Sequence, residues 1–179
     1  MSAKIQDMIL PLADRDDLAA EMAGFYDQLD RTIADHCPTC WNHGACCKFG
    51  EFGHKLFVTT VELAYFVRGN RADWRPPTTD DACPFQVRGK CMAREHRPMG
   101  CRIFFCDPDA QGWQNDEYEE QLRTLKAISA ASGVDYRYIE WMQALREVPM
   151  AGPSQRPAPS PEVAGPSKGV DPRPLPVIQ

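Results

Sequence analysis

The sequence predicts a small α+β domain that is mainly α-helical, with a small irregular and β-containing core that is rich in cysteine and binds metal. Two observations lead to this fold class. Apolar residues recur at helical spacing on both sides of residues 37–107, and all eight cysteines lie within that segment. A third observation sets a boundary, because nine of the sixteen prolines fall in residues 149–179. We therefore predict one cysteine cluster metal-binding domain with flanking helices over residues 1–148, its motif core being 37–107, and a disordered Pro-rich tail over 149–179.

The first helix is predicted over residues 16–35, where apolar residues recur at spacings of three and four, as one helix face requires. Asp16 and Asp17 suit the positive end of the helix dipole. The helix is expected to end near His36 and to deliver Cys37 at its exit. Its apolar stripe consists of Leu18, Met22, Phe25, Leu29 and Ile33.

The middle of the chain predicts a strand followed by a helix. Residues 55–58 form the expected short strand. Thr59, followed three residues later by Glu62, is a capping-box signature that starts a helix ending near Gly69. Residues 70–82 are polar and Pro-rich, and we expect them to form a loop.

The second half of the domain predicts a hairpin and then a long helix. Residues 83–92 are expected to turn at their Arg-Gly-Lys sequence, which places Cys83 and Cys91 at the two ends of the hairpin. The helix is predicted over residues 114–131 and ends at Gly133. Its apolar stripe consists of Tyr118, Leu122, Leu125 and Ile128.

A third helix is predicted to follow, with Asp135 as its N-terminal cap. A strand start is the alternative there, because apolar and polar residues alternate from Val134 onward. The apolar face of this helix would consist of Tyr138, Trp141, Met142 and Leu145.

Composition restricts the function classes. The chain has 179 residues, a formal net charge of −5 and a pI of about 5.4, so we expect no nucleic-acid partner. No apolar run approaches the roughly 20 residues of a membrane helix, so no membrane partner is expected either. The N-terminus lacks a secretory signal pattern. We therefore expect a cytoplasmic protein, in a reducing compartment where clustered cysteines bind metal more often than they form disulfides.

The eight cysteines form two groups of four along the sequence. A C-x-x-C step in the first group lets two thiolates converge on one metal, whereas the side chains of the adjacent pair Cys46 and Cys47 are expected to diverge. Spacing leaves open whether each group binds its own metal or whether the two groups interleave. The candidate metal ligands are Cys37, Cys40, Cys46, Cys47, Cys83, Cys91, Cys101 and Cys106.

Other cysteine chemistries match less well. The chain has no ferredoxin-type run, and it does not meet the zinc deaminase signature. Thiol–disulfide catalysis needs a cysteine at the start of a helix, whereas Cys37 follows a predicted helix. A disulfide framework, a redox relay and inert buried thiols remain as alternatives to metal binding.

Other residue types near the cysteines suit a thiolate site. Residues 37–107 carry ten bases and seven acids, and Arg97 and Arg102 are candidates to donate a hydrogen bond to a metal-bound sulfur. Each histidine is either a nitrogen ligand or a surface or outer-sphere group. The histidines are His36, His43, His54 and His96. The aromatic residues expected to keep water from the site, or to form ordinary core, are Trp41, Phe49, Phe85, Phe104 and Phe105.

Several pieces of the sequence occur together in one order. The pieces are Gly44-Ala45-Cys46-Cys47, Val58-Thr59 with Glu62, Cys83-Pro84-Phe85, Cys91, Arg97-Pro98, Cys101-Arg102 and Phe104 with Cys106. In this order they resemble the YkgJ-type cysteine cluster proteins, which are bacterial proteins with a domain described as zinc- or iron-chelating. The resemblance covers residues 37–107 and gives each of the eight cysteines a counterpart. The family's first motif runs C-x-x-C-x-x-C-C, whereas here three extra residues separate Cys40 from Cys46.

The resemblance implies metal binding, with zinc and iron both open, and with iron held either alone or in an iron–sulfur cluster. Eight thiols and the adjacent pair favour an iron–sulfur cluster. A metal-dependent protein-modifying enzyme is one alternative, since flagellin lysine methylases have a similar cysteine pattern, although no nucleotide or cofactor loop is visible. The other is a zinc-stapled interaction module whose Pro-rich tail binds a protein partner as a polyproline helix. The sequence assigns no catalytic residue and no substrate.

Overall fold

The computed structural model describes residues 4–36, 38 and 44–148. Within these ranges the chain is mainly helical and carries two small antiparallel sheets, so the predicted small α+β class is confirmed. The Pro-rich tail predicted over residues 149–179 lies outside the described residues. The helices are α1 (Ile5–Ala13), α2 (Asp16–His36), α3 (Phe49–Phe52), α4 (Thr60–Asn70), α5 (Met99–Ile103), α6 (Gln111–Ala131) and α7 (Trp141–Glu147). The strands are β1 (Phe57–Thr59), β2 (Gln86–Val87), β3 (Lys90–Cys91) and β4 (Tyr138–Glu140).

The two long predicted helices are confirmed as α2 and α6. Helix α2 begins at Asp16 as expected and buries the predicted stripe, except that Ile33 is only partly buried. Helix α6 begins three residues before the predicted start, and Gly133 follows it with the left-handed φ of 65° that a helix-ending glycine adopts. None of the helices within the described ranges has both the length and the apolar composition to cross a membrane.

Helix α1 was not predicted, because Pro11 interrupts its apolar run. Proline inside a helix removes one backbone hydrogen bond and costs about 3 kcal/mol. Ile5, Ile9 and Ala13 nevertheless lie on one face and are buried, and α1 packs against α4. Burial of an isoleucine side chain contributes about 1.5–3 kcal/mol, so two of them offset the proline.

The end of the domain differs from the sequence prediction. Asp135 does not cap a helix; strand β4 forms first and pairs antiparallel with β1, where Val58 lies opposite Ile139. Helix α7 then begins at Trp141, capped by Glu140, whose carboxylate accepts hydrogen bonds from two backbone N–H groups. The strand alternative was therefore the better one. Pairing with β1 satisfies the backbone hydrogen-bonding groups of β4.

Helix α4 lies at the centre of the core. It is buried on nearly every side, and its buried residues include the polar Thr60, Glu62 and Asn70 as well as apolar side chains. Phe66 faces the core cluster formed with α1, β1 and α7, whereas Val61 and Ala64 face the cluster formed with α2, α5 and α6. Because α4 contacts both clusters, its position determines how the two halves of the domain pack.

The predicted capping box at the start of α4 is present and extends to a second helix. Glu62 accepts hydrogen bonds through Oε2 from Thr59 N (2.7 Å) and Thr59 Oγ1 (2.9 Å). Its other oxygen, Oε1, accepts from Met99 N (2.8 Å), the first residue of α5. Burial raises the pKa of Glu62, and the hydrogen bonds from Thr59 and Met99 oppose that rise. One buried carboxyl group thus joins the N-termini of α4 and α5.

We predict that Glu62→Gln lowers the free energy of unfolding by about 1–3 kcal/mol although the two side chains have the same shape. The amide NH₂ would face either the Met99 N–H or the Thr59 N–H, donor against donor. Urea denaturation measures the change, and Glu51→Gln is the matched control, because Glu51 is exposed and forms only a surface pair with Lys48. The control should shift stability by less than about 0.5 kcal/mol. Equal stability of Glu62→Gln and wild type would contradict this role.

Candidate metal centre

Cys46 and Cys47 lie on one short 3₁₀ turn, Ala45–Cys47. Gly44 precedes the turn with a left-handed φ of 70°. A Cβ atom at position 44 would lie only 2.6 Å from Gln86 Nε2, which donates a hydrogen bond to Gly44 O (3.2 Å). Position 44 therefore requires glycine on two grounds, and the close approach holds the turn against the β2–β3 hairpin.

The second group of cysteines meets the first through this hairpin. Cys83 N donates a backbone hydrogen bond to Cys47 O (2.8 Å), and the two thiols also interact. Cys91 lies on β3 opposite Gln86, and both Cys83 and Cys91 are half-buried against the core. The structure therefore brings the two sequence groups next to each other at Cys47 and Cys83.

Helix α5 carries the next thiol. Cys101 is half-buried and packs against the same core cluster as Cys83 and Cys91. Charges on Cys46, Cys83 and Cys91 each affect the ionisation of Cys101, so these thiols share one electrostatic neighbourhood. Cys106 follows α5 and is also half-buried.

The adjacent pair does not behave as predicted. The Sγ atoms of Cys46 and Cys47 lie 3.9 Å apart, so the side chains converge rather than diverge, because the 3₁₀ turn tilts both to one side. This distance is far longer than the ~2.05 Å of a disulfide bond. It is close to the separation of about 3.8 Å that two thiolates have on a tetrahedral zinc ion with Zn–S bonds of about 2.3 Å.

The thiols differ in acidity. A hydrogen bond from Cys47, aided by the charge of Arg97, lowers the pKa of the exposed Cys46 to about 7. The hydrogen bond from Cys47 also lowers the pKa of Cys83. Burial raises the pKa of Cys91 and of Cys101. The cluster thus combines the more acidic thiols Cys46 and Cys83 with the less acidic thiols Cys91 and Cys101.

Of the two predicted arginines, one fits the thiols and one does not. The charge of Arg97 favours the thiolate forms of Cys46, Cys91 and Cys101, and its Nε is buried without a hydrogen-bond partner in the described part of the chain. Arg102 was predicted to donate to sulfur, but its guanidinium donates elsewhere.

The actual partners of Arg102 explain the difference. It donates through Nε to Arg97 O (2.9 Å) and through Nη1 to Asp30 (2.6 Å), and it lies over the Tyr26 ring at 4.2 Å. A third hydrogen bond, 2.5 Å long, reaches Glu95 O. Arg102 is therefore a buried structural residue whose hydrogen bond to Arg97 O fixes the backbone of Arg97.

The histidines that are described do not converge on the thiols as ligands. His36 stacks on Trp113 with 4.2 Å between ring centroids, and His96 packs against Tyr65. His54 comes nearest, since its Nε2 lies 3.2 Å from Cys46 O. Its position suits an outer-sphere role, and His43 lies outside the described residues.

The predicted aromatic residues divide in the same way. Phe49 and Phe85 are buried beside the thiol cluster's core neighbours, where Phe85 packs edge-on against Phe66 at 4.9 Å. Phe104 packs against Tyr118 on the other side of the domain, and Trp41 lies outside the described residues. Phe49 and Phe85 thus exclude water from the buried side of the cluster.

Of the eight predicted ligands, the structure brings five into one neighbourhood. Cys37 and Cys40, the predicted C-x-x-C step, lie outside the described residues. Within residues 4–36, 38 and 44–148, no three His, Cys, Asp or Glu side chains are already placed as a metal site. The five neighbouring thiols are Cys46, Cys47, Cys83, Cys91 and Cys101.

Two residues position this cluster in ways that the sequence did not predict. Gln86 links the hairpin to the 3₁₀ turn, and Glu62 fixes the start of the helix that carries Cys101. The signal for Glu62 was its capping box, whose second oxygen had no partner that the sequence reveals. The glycine before the adjacent cysteines was the available signal for the close approach of Gln86.

Comparisons with known proteins add no relative. No protein family model, curated protein or solved structure matches the chain. The resemblance to the YkgJ-type proteins therefore stays a prediction from its motifs.

We predict that, in the metal-free reduced protein at pH 7, iodoacetamide modifies Cys46 at least about tenfold faster than Cys101. Cys46 is exposed and half of it is thiolate near pH 7, whereas burial raises the pKa of Cys101 above its usual 9.0. Because the thiolate reacts, the Cys46 rate should rise with pH and reach half its maximum near pH 7. Peptide mapping by mass spectrometry measures both rates. A Cys46 midpoint at or above pH 8.5 would show that the neighbouring groups do not activate it.

Proposed function

We propose that the chain is a cytoplasmic metal-binding protein that holds iron, alone or in an iron–sulfur cluster, or zinc through clustered cysteine thiolates. The observation that carries the proposal is the meeting of Cys47 with Cys83 through a 2.8 Å backbone hydrogen bond. This hydrogen bond brings two cysteine groups that are distant in sequence next to each other. Thiolates are the ligands that zinc and iron–sulfur centres prefer.

The charges around the thiols support metal binding over inert buried thiols. Several thiolates on one metal make an anionic centre, and burying it requires nearby positive charge. Arg97 supplies that charge to three of the cysteines, and its buried Nε has a free donor. Neutral thiols in an apolar core do not require a positive charge beside them.

The distance between the two adjacent thiols also supports the proposal. In small thiolate sites the energy of metal binding becomes energy of folding. The 3.9 Å separation of the Cys46 and Cys47 sulfurs suits a shared metal, and the sequence places Cys37 and Cys40 shortly before them.

Iron in an iron–sulfur cluster is the preferred form, on the total of eight thiols together with the adjacent pair Cys46 and Cys47. The YkgJ-type resemblance supports both metals. A protein-modifying enzyme would need three thiolates on the metal and an open position, whereas four on each metal indicate structural or electron-transfer duty.

The first experiment is anaerobic purification followed by an absorption spectrum, metal analysis and sulfide analysis of one sample. Broad absorption at about 400 nm with iron and acid-labile sulfide would support the iron–sulfur proposal. A colourless protein with stoichiometric zinc would replace iron by zinc. Protein that purifies without metal and does not take up iron or zinc would refute the proposed function.

We predict that Cys83→Ser and Cys101→Ser each lower the bound metal by at least half and lower the melting temperature of the metal-loaded protein. Serine keeps the size of cysteine but replaces a soft sulfur ligand by oxygen. The control is wild-type protein stripped with a chelator, which should lose the same stability as the variants. Full metal occupancy in both variants would remove Cys83 and Cys101 from the ligand set.

A further inference from the structure

Positive charge is concentrated in the chain segment that carries Cys83, Cys91 and Cys101. Residues 82–106 contain five bases and one acid, a net charge of +4 in a chain whose net charge is −5. Arg102 is buried and ion-paired. Arg88, Lys90 and Arg94 are exposed, and in the ion pairs formed among the described residues none of them takes part. We call these three exposed residues the basic rim.

The basic rim lies beside Cys46. The hairpin tip contacts the 3₁₀ turn, since a Cβ atom at Gly44 would lie 3.0 Å from Gly89 O. Arg88 immediately precedes Gly89 at this tip. On the other side, the charge of Arg94 is among those that act on the Cys46 thiol. A partner that contacts the rim therefore comes close to the exposed thiol of the cluster.

An apolar side chain lies within the same segment. Met92 is 59% exposed, although its backbone N–H is fixed by a 2.8 Å hydrogen bond to Phe85 O. Protein interfaces are enriched in methionine and arginine, and methionine adapts its shape to a partner surface. Charge and exposed apolar surface thus occur together at the rim.

The conformation of Arg88 provides an independent observation. It has a φ of 51°, and it is the non-glycine residue with positive φ in the described part of the chain. Together with Gly89 it forms a two-residue turn in which asparagine, aspartate or glycine is favoured at the first position. An arginine at this position costs conformational energy, so the tip of the hairpin is a site of backbone strain.

We propose that the basic rim and Met92 form the docking face for a protein partner with an acidic surface, which approaches the metal centre at Cys46. The purpose of the docking, electron or metal exchange, rests on the proposed function; the face itself rests on charge and exposure. Small interfaces guided by charge are typical of redox partners. A protein is favoured over a nucleic acid, because Met92 adds apolar contact and the remaining chain repels a long polyanion.

Fluorescence anisotropy with labelled octaglutamate tests the face on the full chain at low ionic strength. Arg88→Asn combined with Arg94→Gln should weaken binding about fivefold, as two exposed charge pairs permit. Asparagine suits the turn, so this variant keeps its fold. Arg123→Gln with Lys126→Gln, on α6, gives the same change in net charge and should alter affinity less than about twofold. Binding should also weaken as salt is raised.

Three results would overturn the proposal. The first is an equal loss of octaglutamate affinity in the rim variant and the α6 variant, and the second is no binding of octaglutamate. The third is tighter binding of labelled octauridylate, which would indicate a nucleic-acid partner. Saturating octaglutamate should also slow alkylation of Cys46, and an unchanged rate would place the peptide elsewhere.

The test separates this proposal from the proposed function. A chain that takes up no metal but binds octaglutamate through the rim would refute the metal centre alone. A metal-loaded chain whose peptide binding ignores the rim would refute the docking face alone.

Discussion

The buried carboxyl group of Glu62 is the interaction on which the arrangement of α4 and α5 depends. Its hydrogen bonds to Thr59 and to Met99 fix the beginnings of α4 and α5 relative to each other. Helix α4 separates the two core clusters, and α5 carries Cys101. The cost of burying the Glu62 carboxyl group is therefore offset by hydrogen bonds. These bonds fix the starts of α4 and α5, and α5 carries the Cys101 thiol.

Two arginines near the thiols have different roles. Arg102 is fully engaged with Asp30 and with the carbonyl of Arg97, so it acts on structure. The carbonyl of Arg97 accepts a hydrogen bond from Arg102, and the charge of Arg97 favours the thiolate form of Cys101. Because the interior thiols Cys91 and Cys101 are held in their protonated form by burial, a metal ion must displace their protons to bind. Arg97 reduces that cost.

Much of the fold follows from local sequence rules. The stripe of α2, the capping box of α4 and the Arg-Gly turn of the hairpin are short-range patterns, and each is present in the structure. Helix α1 was not predicted, and strand β4 was only the alternative to a predicted helix, since each depends on packing against a distant segment. Pro11 is tolerated because α4 lies beside it, and β4 forms because β1 offers a partner.

The same distinction applies to the site. The identity of the thiols is visible in the sequence, but the convergence of Cys46 and Cys47 depends on the 3₁₀ turn that Gly44 and Gln86 hold in place. Arg102 differs in role from Arg97 because it pairs with Asp30, which lies 72 positions before Arg102 in the sequence. No spacing rule connects residues at that distance.

The hydrogen bond between Cys47 and Cys83 has a consequence for chain entropy. A metal shared by these two residues would close a loop that contains β1 and α4. By analogy with a disulfide, closing a loop of roughly 36 residues removes about 4 kcal/mol of conformational freedom from the unfolded chain. Loss of the metal would return that freedom to the segment that forms the centre of the core, so the metal content of the protein and its lifetime in a cell would rise and fall together.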